Sequence, residues 1–490
     1  MYTKPSEVFD RDWEWEGLTS FVQGRRSSAT LGIVSGRRRQ GKSFLLEALA
    51  EQSGGIYFAA TEGSEQESLR MFAAALAEYS GVAPEPFRDW NDAISAMFHA
   101  VRDRAVPVVI DEFPFLSKVS PGLPSIIQRE LGPGGSGQES SARLLLCGSA
   151  MSAMGKLLSG QAPLRGRASL ELVVQPFGYR AASRFWGIDD PQLAVQLHAI
   201  VGGTPAYRGD FVDDDTPQGI DDFDSWVART VLSPRMPLFR EARYLLAEES
   251  DIRDPALYHA VLAAIAAGNT ANGQIASYIG RKADQLAHPL AVLEDCGLVA
   301  REPDLFRSNR YRYRIAEPLI TFYAAIMRMR WSELERKRAA LLWADSRRMF
   351  TSKVVGPHFE QLCREYSADV DESVFGAFPS EVGAGVVNDP QNRTQIEIDV
   401  VVLAAPADGP RGVLALGEVK WGEVMGVGHI SRLVRARDLL AVKGWDTRAA
   451  KLACYSGAGF TDELLAAAAA DDRILLIDLD QIYAPISTEV

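Results

Sequence analysis

The chain has 490 residues, 47% of them apolar and 24% charged, with 25 Pro and 41 Gly. That apolar content excludes a disordered or fibrous chain, and the length allows roughly two to four domains. Its 52 basic and 64 acidic residues leave a net charge of −12, so any nucleic-acid contact must come from a local basic patch. The cysteines (Cys147, Cys296, Cys363 and Cys454) are too far apart to suggest a zinc site or a disulfide framework. No run approaches the roughly 20 apolar residues that span a bilayer, and the start lacks an apolar signal core. The expectation is a cytoplasmic protein with no membrane partner.

In chain order, residues 30–190 alternate short apolar runs with helical patterns, which predicts a parallel sheet covered by helices. The predicted strands are Leu31–Ser35, Gly55–Ala60, Pro107–Asp111, Arg143–Gly148 and Ser169–Val174, with Gly132–Ser141 as a surface loop. Residues 191–250 read as mostly helical, interrupted by Gly202-Gly-Thr-Pro205. Residues 254–315 read as a winged helix: Leu262–Ala267 opens it, Gly273–Ile279 and Lys282–Gly297 are its helices, and Leu298-Val-Ala and Tyr311–Ile315 form the wing. Residues 318–350 are helical and rich in Arg and Trp. From Phe359 the pattern is helix, strand, hairpin, helix, strand, helix, strand. It includes strands Ile396–Leu403 and Gly412–Trp421, then Val427–Val442, Lys451–Tyr455, Glu463–Ala470 and Arg473–Leu479.

Gly36-Arg37-Arg38-Arg39-Gln40-Gly41-Lys42-Ser43 fits the phosphate-binding pattern GxxxxGK[ST], with an apolar strand before it and the helical Phe44–Glu51 after it. Such a loop curls so that backbone N–H groups and a helix N-terminus cradle phosphate oxygens. Lys42 would reach the outer phosphates and Ser43 would hold Mg²⁺. The run Val106–Ile110 ends in Asp111-Glu112, which places Asp111 to bind Mg²⁺ and Glu112 to deprotonate the attacking water. Ser149, at the end of Arg143–Gly148, is placed to touch the γ-phosphate or the water. Arg165 and Arg167 each suit contact with a neighbouring subunit's nucleotide, and each equally suits a solvated surface.

Together, Phe9-Asp-Arg11-Asp-Trp-Glu14, the P-loop with its arginine run, Asp111-Glu-Phe-Pro-Phe-Leu116, Gly148-Ser149 and Pro163-Leu-Arg-Gly-Arg167 resemble the archaeal-type ATPase family, a branch of the AAA/STAND group. Gly202–Tyr207 fits the helical lid of that family. Phe359-Glu360, Glu397-Ile-Asp399 and Gly417-Glu418-Val-Lys420-Trp421 fit its C-terminal domain of unknown function 234. The resemblance implies ATP as the nucleotide, Arg167 as the arginine acting in trans within a homo-oligomer, and an α/β architecture. Its parts are a P-loop NTPase core (residues 1–190), a helical lid (191–252), a winged helix (253–318), a helical basic linker (319–352) and a restriction-endonuclease-like domain (353–490).

That last module also looks like the PD-(D/E)xK nuclease fold, whose chemistry needs carboxylates converging on Mg²⁺ or Mn²⁺ and a lysine near the attacking water. Asp399 closes an apolar strand, and Glu418 and Lys420 lie two apart on the next, so they share a face. Glu360 could complete the set, with Asp399 and Glu418 as metal ligands. A degenerate fold that only binds would keep the same shape. DNA is the expected partner, either in the groove of the winged helix or along the basic run Arg328, Arg330, Arg336, Lys337, Arg338, Arg347 and Arg348, with Trp331 and Trp343 interleaved. An ion-paired solvated helix explains the same run. The leading expectation is a Mg²⁺-dependent ATPase coupled to a DNA nuclease. The competing one is a signalling ATPase switch whose inert nuclease-like fold binds protein partners.

Overall fold

The computed structural model describes residues 2–247, 254–406 and 409–485. The apolar runs of the first third become β1 (Thr30–Ser35), β2 (Ile56–Ala59), β3 (Pro107–Asp111), β4 (Arg143–Gly148) and β5 (Ala168–Val173). Each lies within one residue of its predicted bounds. All pair in parallel in the order β2-β3-β4-β1-β5. β3 and β4 are buried along their length, as strands covered on both faces must be. Alternate side chains feed two cores: Leu144 and Leu146 pack with Phe72, Trp90 and Ile94, while Leu145 and Cys147 pack with Leu18, Leu45 and Leu49. This is the α/β arrangement expected of a P-loop NTPase. The carboxyl ends of β3, β4 and β1 stand side by side, where such sheets bind ligands.

The segment predicted as a lid begins with the helix Pro191–Val201 and continues through Phe223–Arg229 and Leu238–Ala247. The predicted lid boundary at 252/253 falls outside the described residues. Next come helices Pro255–Ala266 and Asn272–Ile279, a 3-10 turn Ala283–Leu286 running into the helix Ala287–Asp295, and an antiparallel hairpin, β6 (Val299–Pro303) and β7 (Tyr311–Ile315). The single helix predicted over Lys282–Gly297 is therefore two pieces. The segment expected to open the unit, Leu262–Ala267, is the end of a helix that starts at Pro255, where the Asp254 carboxylate accepts from Leu257 N.

The Arg/Trp-rich segment is not a strip of stacking platforms. Trp343 keeps 2% of its surface and packs on Phe322 and Phe350, while Trp331 stacks on Phe239 at 4.3 Å. Leu334, Leu342 and Phe350 are buried with them, so the aromatic residues form the apolar face of amphipathic helices. On the polar side, Arg330 pairs with Glu333 and Asp345, and Arg347 with Asp224. Reading the tryptophans as base-stacking groups is thereby corrected: they serve the core.

After the helix Gly356–Asp369 comes a second sheet: β8 (Glu381–Asp389), β9 (Thr394–Leu403), β10 (Val413–Lys420), β11 (Lys451–Ser456) and β12 (Ile474–Ile477), in the order β12-β11-β10-β9-β8. β9 runs antiparallel to both of its neighbours, β8 and β10; β10, β11 and β12 are parallel. The helix Val427–Val442 packs against this sheet.

The tip of the hairpin, expected to form a wing, is docked on β8. Leu305 N donates to Ala384 O at 3.0 Å, and Asp304 Oδ1 accepts from Val386 N at 3.3 Å. Phe306 meets Trp445 edge-on at 5.2 Å, and a Cβ on Gly385 would stand 2.4 Å from the Phe306 ring, so only glycine admits this approach. Apolar Leu305 and Phe306 at the turn favour burial over solvation.

Candidate functional site

A cavity of about 630 Å³ opens at the ends of the first sheet, between the P-loop, Glu112, Ser149 and the lid segment Pro205–Gly209. Ser43 and Phe44 are exposed to it. Lys42, at 5% exposure, donates its Nζ hydrogen to Arg37 O at 2.7 Å. Burial pushes the Lys42 ammonium below its ordinary value, partly opposed by Cys147, Glu112 and Asp111. Asp111 lies just beneath the cavity. Burial would raise its carboxyl, but hydrogen bonds from Cys147, Ser43, Tyr57 and Glu112 N outweigh burial and leave it below the usual carboxylate range. Tyr57 Oη donates to Asp111 Oδ2 at 2.7 Å and Glu112 N to Oδ1 at 2.8 Å. The Ser43 hydroxyl and an ionised Asp111 side by side are the hard oxygen donors that suit Mg²⁺.

Glu112 opens the helix Phe113–Val119 at φ 50°, a left-handed conformation that a non-glycine residue adopts only when its surroundings hold it there. Ser149 Oγ donates to the Glu112 carboxylate at 2.8 Å, and Arg38 Nε donates to Ser149 Oγ at 3.2 Å. The far end of the cavity is aromatic: Phe9, Phe177 and Phe185 sit with centroids 5.3–5.6 Å apart, and the Arg11 guanidinium lies 4.5 Å over Phe177. Gln40 Nε2 donates to Thr204 Oγ1 at 3.2 Å, which ties the P-loop to the lid.

Not every residue of the predicted nucleotide-binding loop lines the cavity. Gly36 and Arg37 do not line it. Arg37 Nη1 instead pairs with Glu317, 2% exposed, at 2.7 Å. Arg39, at the cavity rim, pairs with the buried Glu241 of the lid, also at 2.7 Å. Both guanidinium groups thus serve buried carboxylates of other segments, because a buried carboxylate must find a cation. Arg165 and Arg167 are both exposed, and Arg165 Nη1 donates to Gly160 O. The motif reading passes over three groups at the site: Tyr57, the Phe177/Phe185 pair, and Arg208 of the lid, which lines the cavity while paired with Asp214 at 3.0 Å. Tyr57 lies one strand over, so no sequence spacing announces its partner.

The C-terminal set lies beside a second cavity of about 440 Å³, to which Glu360 and Asp399 belong, walled by the hairpin and the lid helix Pro191–Val201. The register Gly417↔Val400 sets Glu418 opposite Asp399, and Asp399 Oδ2 accepts from Val419 N at 2.9 Å. Burial, reinforced by Asp399, pushes the Glu360 carboxyl up to about 7. Burial and Glu418 likewise raise Asp399. Glu418, 1% exposed, has its Oε1 clasped by Lys420 Nζ at 2.8 Å and by Arg432 Nη1 at 2.7 Å. Arg432 is a partner that the Glu-x-Lys pattern does not announce. Among the described residues, no three His, Cys, Asp or Glu side chains gather as a metal cage. The metal assignment at Asp399 and Glu418 therefore meets an ion-paired arrangement. No helix among the described residues is long and apolar enough to cross a membrane.

No family model matches the chain. An uncharacterised protein of Methanocaldococcus jannaschii is 28% identical over 302 residues, 59% of this chain and 62% of that relative, so the chain spans less than two thirds of its length. Among solved structures, a Walker-type ATPase of Pyrococcus abyssi is 19% identical, with a TM-score of 0.48 over 66% of this chain and 97% of that one. The ORC2 protein of Aeropyrum pernix is 14% identical, with a TM-score of 0.41 over 69% of this chain and 97% of that one. At these scores the likenesses settle nothing by themselves.

Proposed function

We propose that the chain binds ATP with Mg²⁺ at the P-loop cavity and hydrolyses it. The observation that carries this is the convergence of Lys42, Ser43, Glu112 and Ser149 on one cavity, with Asp111 against Ser43 beneath it. P-loop N–H groups hold the phosphates, and Lys42 leaves the Arg37 carbonyl for their outer oxygens. Ser43 and Asp111 would hold Mg²⁺, which neutralises charge developing between the β- and γ-phosphates. Glu112, once off Ser149, orients the water and takes its proton as the water oxygen bonds to the γ-phosphorus and the bond to the β-phosphate oxygen breaks. Ser149 and Arg38 then turn toward the transferred phosphoryl group, and Arg167 of a neighbouring subunit supplies a further positive charge.

Calorimetry with ATP and Mg²⁺ should give a binding heat. Glu112→Gln should keep that heat and lose turnover by about 10²- to 10⁴-fold. No heat from a folded protein removes the reading, while unchanged turnover in the variant removes Glu112 as the base.

One observation favours a second activity: Asp399 faces Glu418 across the strands, with Lys420 on the same face and Glu360 nearby, as phosphodiester cleavage would require. The clasp of Lys420 and Arg432 on Glu418 supports the competing version, a nuclease-like fold that binds partners without cutting. Supercoiled plasmid with Mg²⁺ or Mn²⁺ separates them. Nicking that Lys420→Ala abolishes supports cleavage, and no nicking by either protein supports a switch.

A further inference from the structure

Arg37 is joined to the hairpin at both of its feet. Its stem lies against Gly297, just before β6: at φ +67° a Cβ there would stand 3.4 Å from Arg37 Cδ. Its guanidinium pairs at 2.7 Å with Glu317, two residues past β7, and Ala316 N donates to Leu298 O at 2.9 Å to close the base of the hairpin. Glu317 is 2% exposed, and its other oxygen, Oε1, accepts no hydrogen bond. The same arginine offers its carbonyl to Lys42 Nζ. One residue thus touches both the phosphate-seeking lysine and the root of the hairpin whose tip is docked on Ala384 and Val386, the latter 82 residues beyond its partner Asp304.

We propose that Glu317 is a positioning residue of the nucleotide site: it holds Arg37, and through Arg37 the carbonyl that parks Lys42, so that nucleotide occupancy and the docking of the hairpin are one equilibrium. The proposal rests on ATP binding at the P-loop. Phosphates take Lys42 off the Arg37 carbonyl, and the freed peptide turns with its guanidinium still paired to Glu317, so that the movement passes to the base of the hairpin. The hairpin base then shifts, and the tip loosens from β8. Because Glu302, Arg312 and Arg314 of the hairpin wall the cavity that holds Glu360 and Asp399, nucleotide would open that cavity to larger occupants. Linkage makes the effect reciprocal: a hairpin held on β8 weakens nucleotide binding by the same factor.

Hydrogen exchange of the full chain, with and without a non-hydrolysable ATP analogue and Mg²⁺, tests this alongside calorimetry on the same sample. The amides of Leu305 and Val386 should exchange at least about fivefold faster with nucleotide. Arg37→Met, which keeps the carbonyl and the stem, and Glu317→Gln should bind the analogue without that change, whereas Glu317→Asp should restore part of it. Binding heat with unchanged exchange in the wild type overturns the proposal and leaves the ATP reading standing. No heat overturns both. A full nucleotide response in Arg37→Met also overturns it, and that variant decides the matter if Glu317→Gln does not fold.

Discussion

At the P-loop, Lys42 rests on a backbone carbonyl and Glu112 on a serine hydroxyl; at the C-terminal cleft, Glu418 lies between a lysine and an arginine. Both regions place acids and a lysine at strand ends, yet the first restrains them with neutral partners beside an open cavity and the second neutralises them within the domain. Neutral restraints are easily exchanged for a ligand, because leaving a hydroxyl or a carbonyl strands no buried charge. Breaking an ion pair at 1% exposure strands one, and this costs far more. Chemistry at the first site should therefore respond to substitution, while at the second the fold itself should respond.

The sharpest test of that contrast is Glu418→Ala, which should lose about 2–3 kcal/mol of stability in urea denaturation: the hydrogen-bonded clasp is lost, while Lys420 and Arg432, 30% and 42% exposed, turn to water. A loss below about 1 kcal/mol would mean that the carboxylate is loosely held and available to a metal. Phe306→Ala should cost about 2–3 kcal/mol, somewhat less than a fully buried phenylalanine, because the ring is half-buried against Trp445 and Gly385. No loss would show that the hairpin tip is not docked in solution. At the P-loop, Tyr57→Phe removes one hydrogen bond to Asp111 and should raise the Mg²⁺ concentration for half-maximal turnover about tenfold at little cost to folding. An equal shift in thermal midpoint and activity would reduce Tyr57 to a structural role.

The smallest expected effect is a pH dependence at the cleft. Glu360 titrates near 7 in the fold against 4.5 ordinarily, so the fold favours its protonated form. The stability tied to that proton is fully present below pH 4.5 and is lost as pH rises through about 7. Glu360→Gln, which mimics the protonated form, should match wild type at pH 4.5 and melt above it at pH 8. A constant difference across that range would show that the group titrates normally.

The strands of the first sheet, the P-loop and the acids after β3 were legible in the sequence because each is local. Apolar alternation, two glycines, and a lysine next to a serine act over a few residues. The pairing of Glu418 with Lys420 was half legible, since period-two geometry puts them on one face, but Arg432 comes from a helix that only packing brings near. Composition likewise suggested tryptophans available to nucleic acid, and burial turned them into core.

By itself, then, the sequence determined the parallel sheet and the loop that carries the phosphate-binding pattern. The tertiary structure alone decided where Arg37 and Arg39 point and that the hairpin docks on β8 rather than standing free. The physical reason is reach: a backbone motif is closed by neighbours in sequence, whereas a long cationic side chain takes whichever buried carboxylate folding delivers, here one 280 residues away.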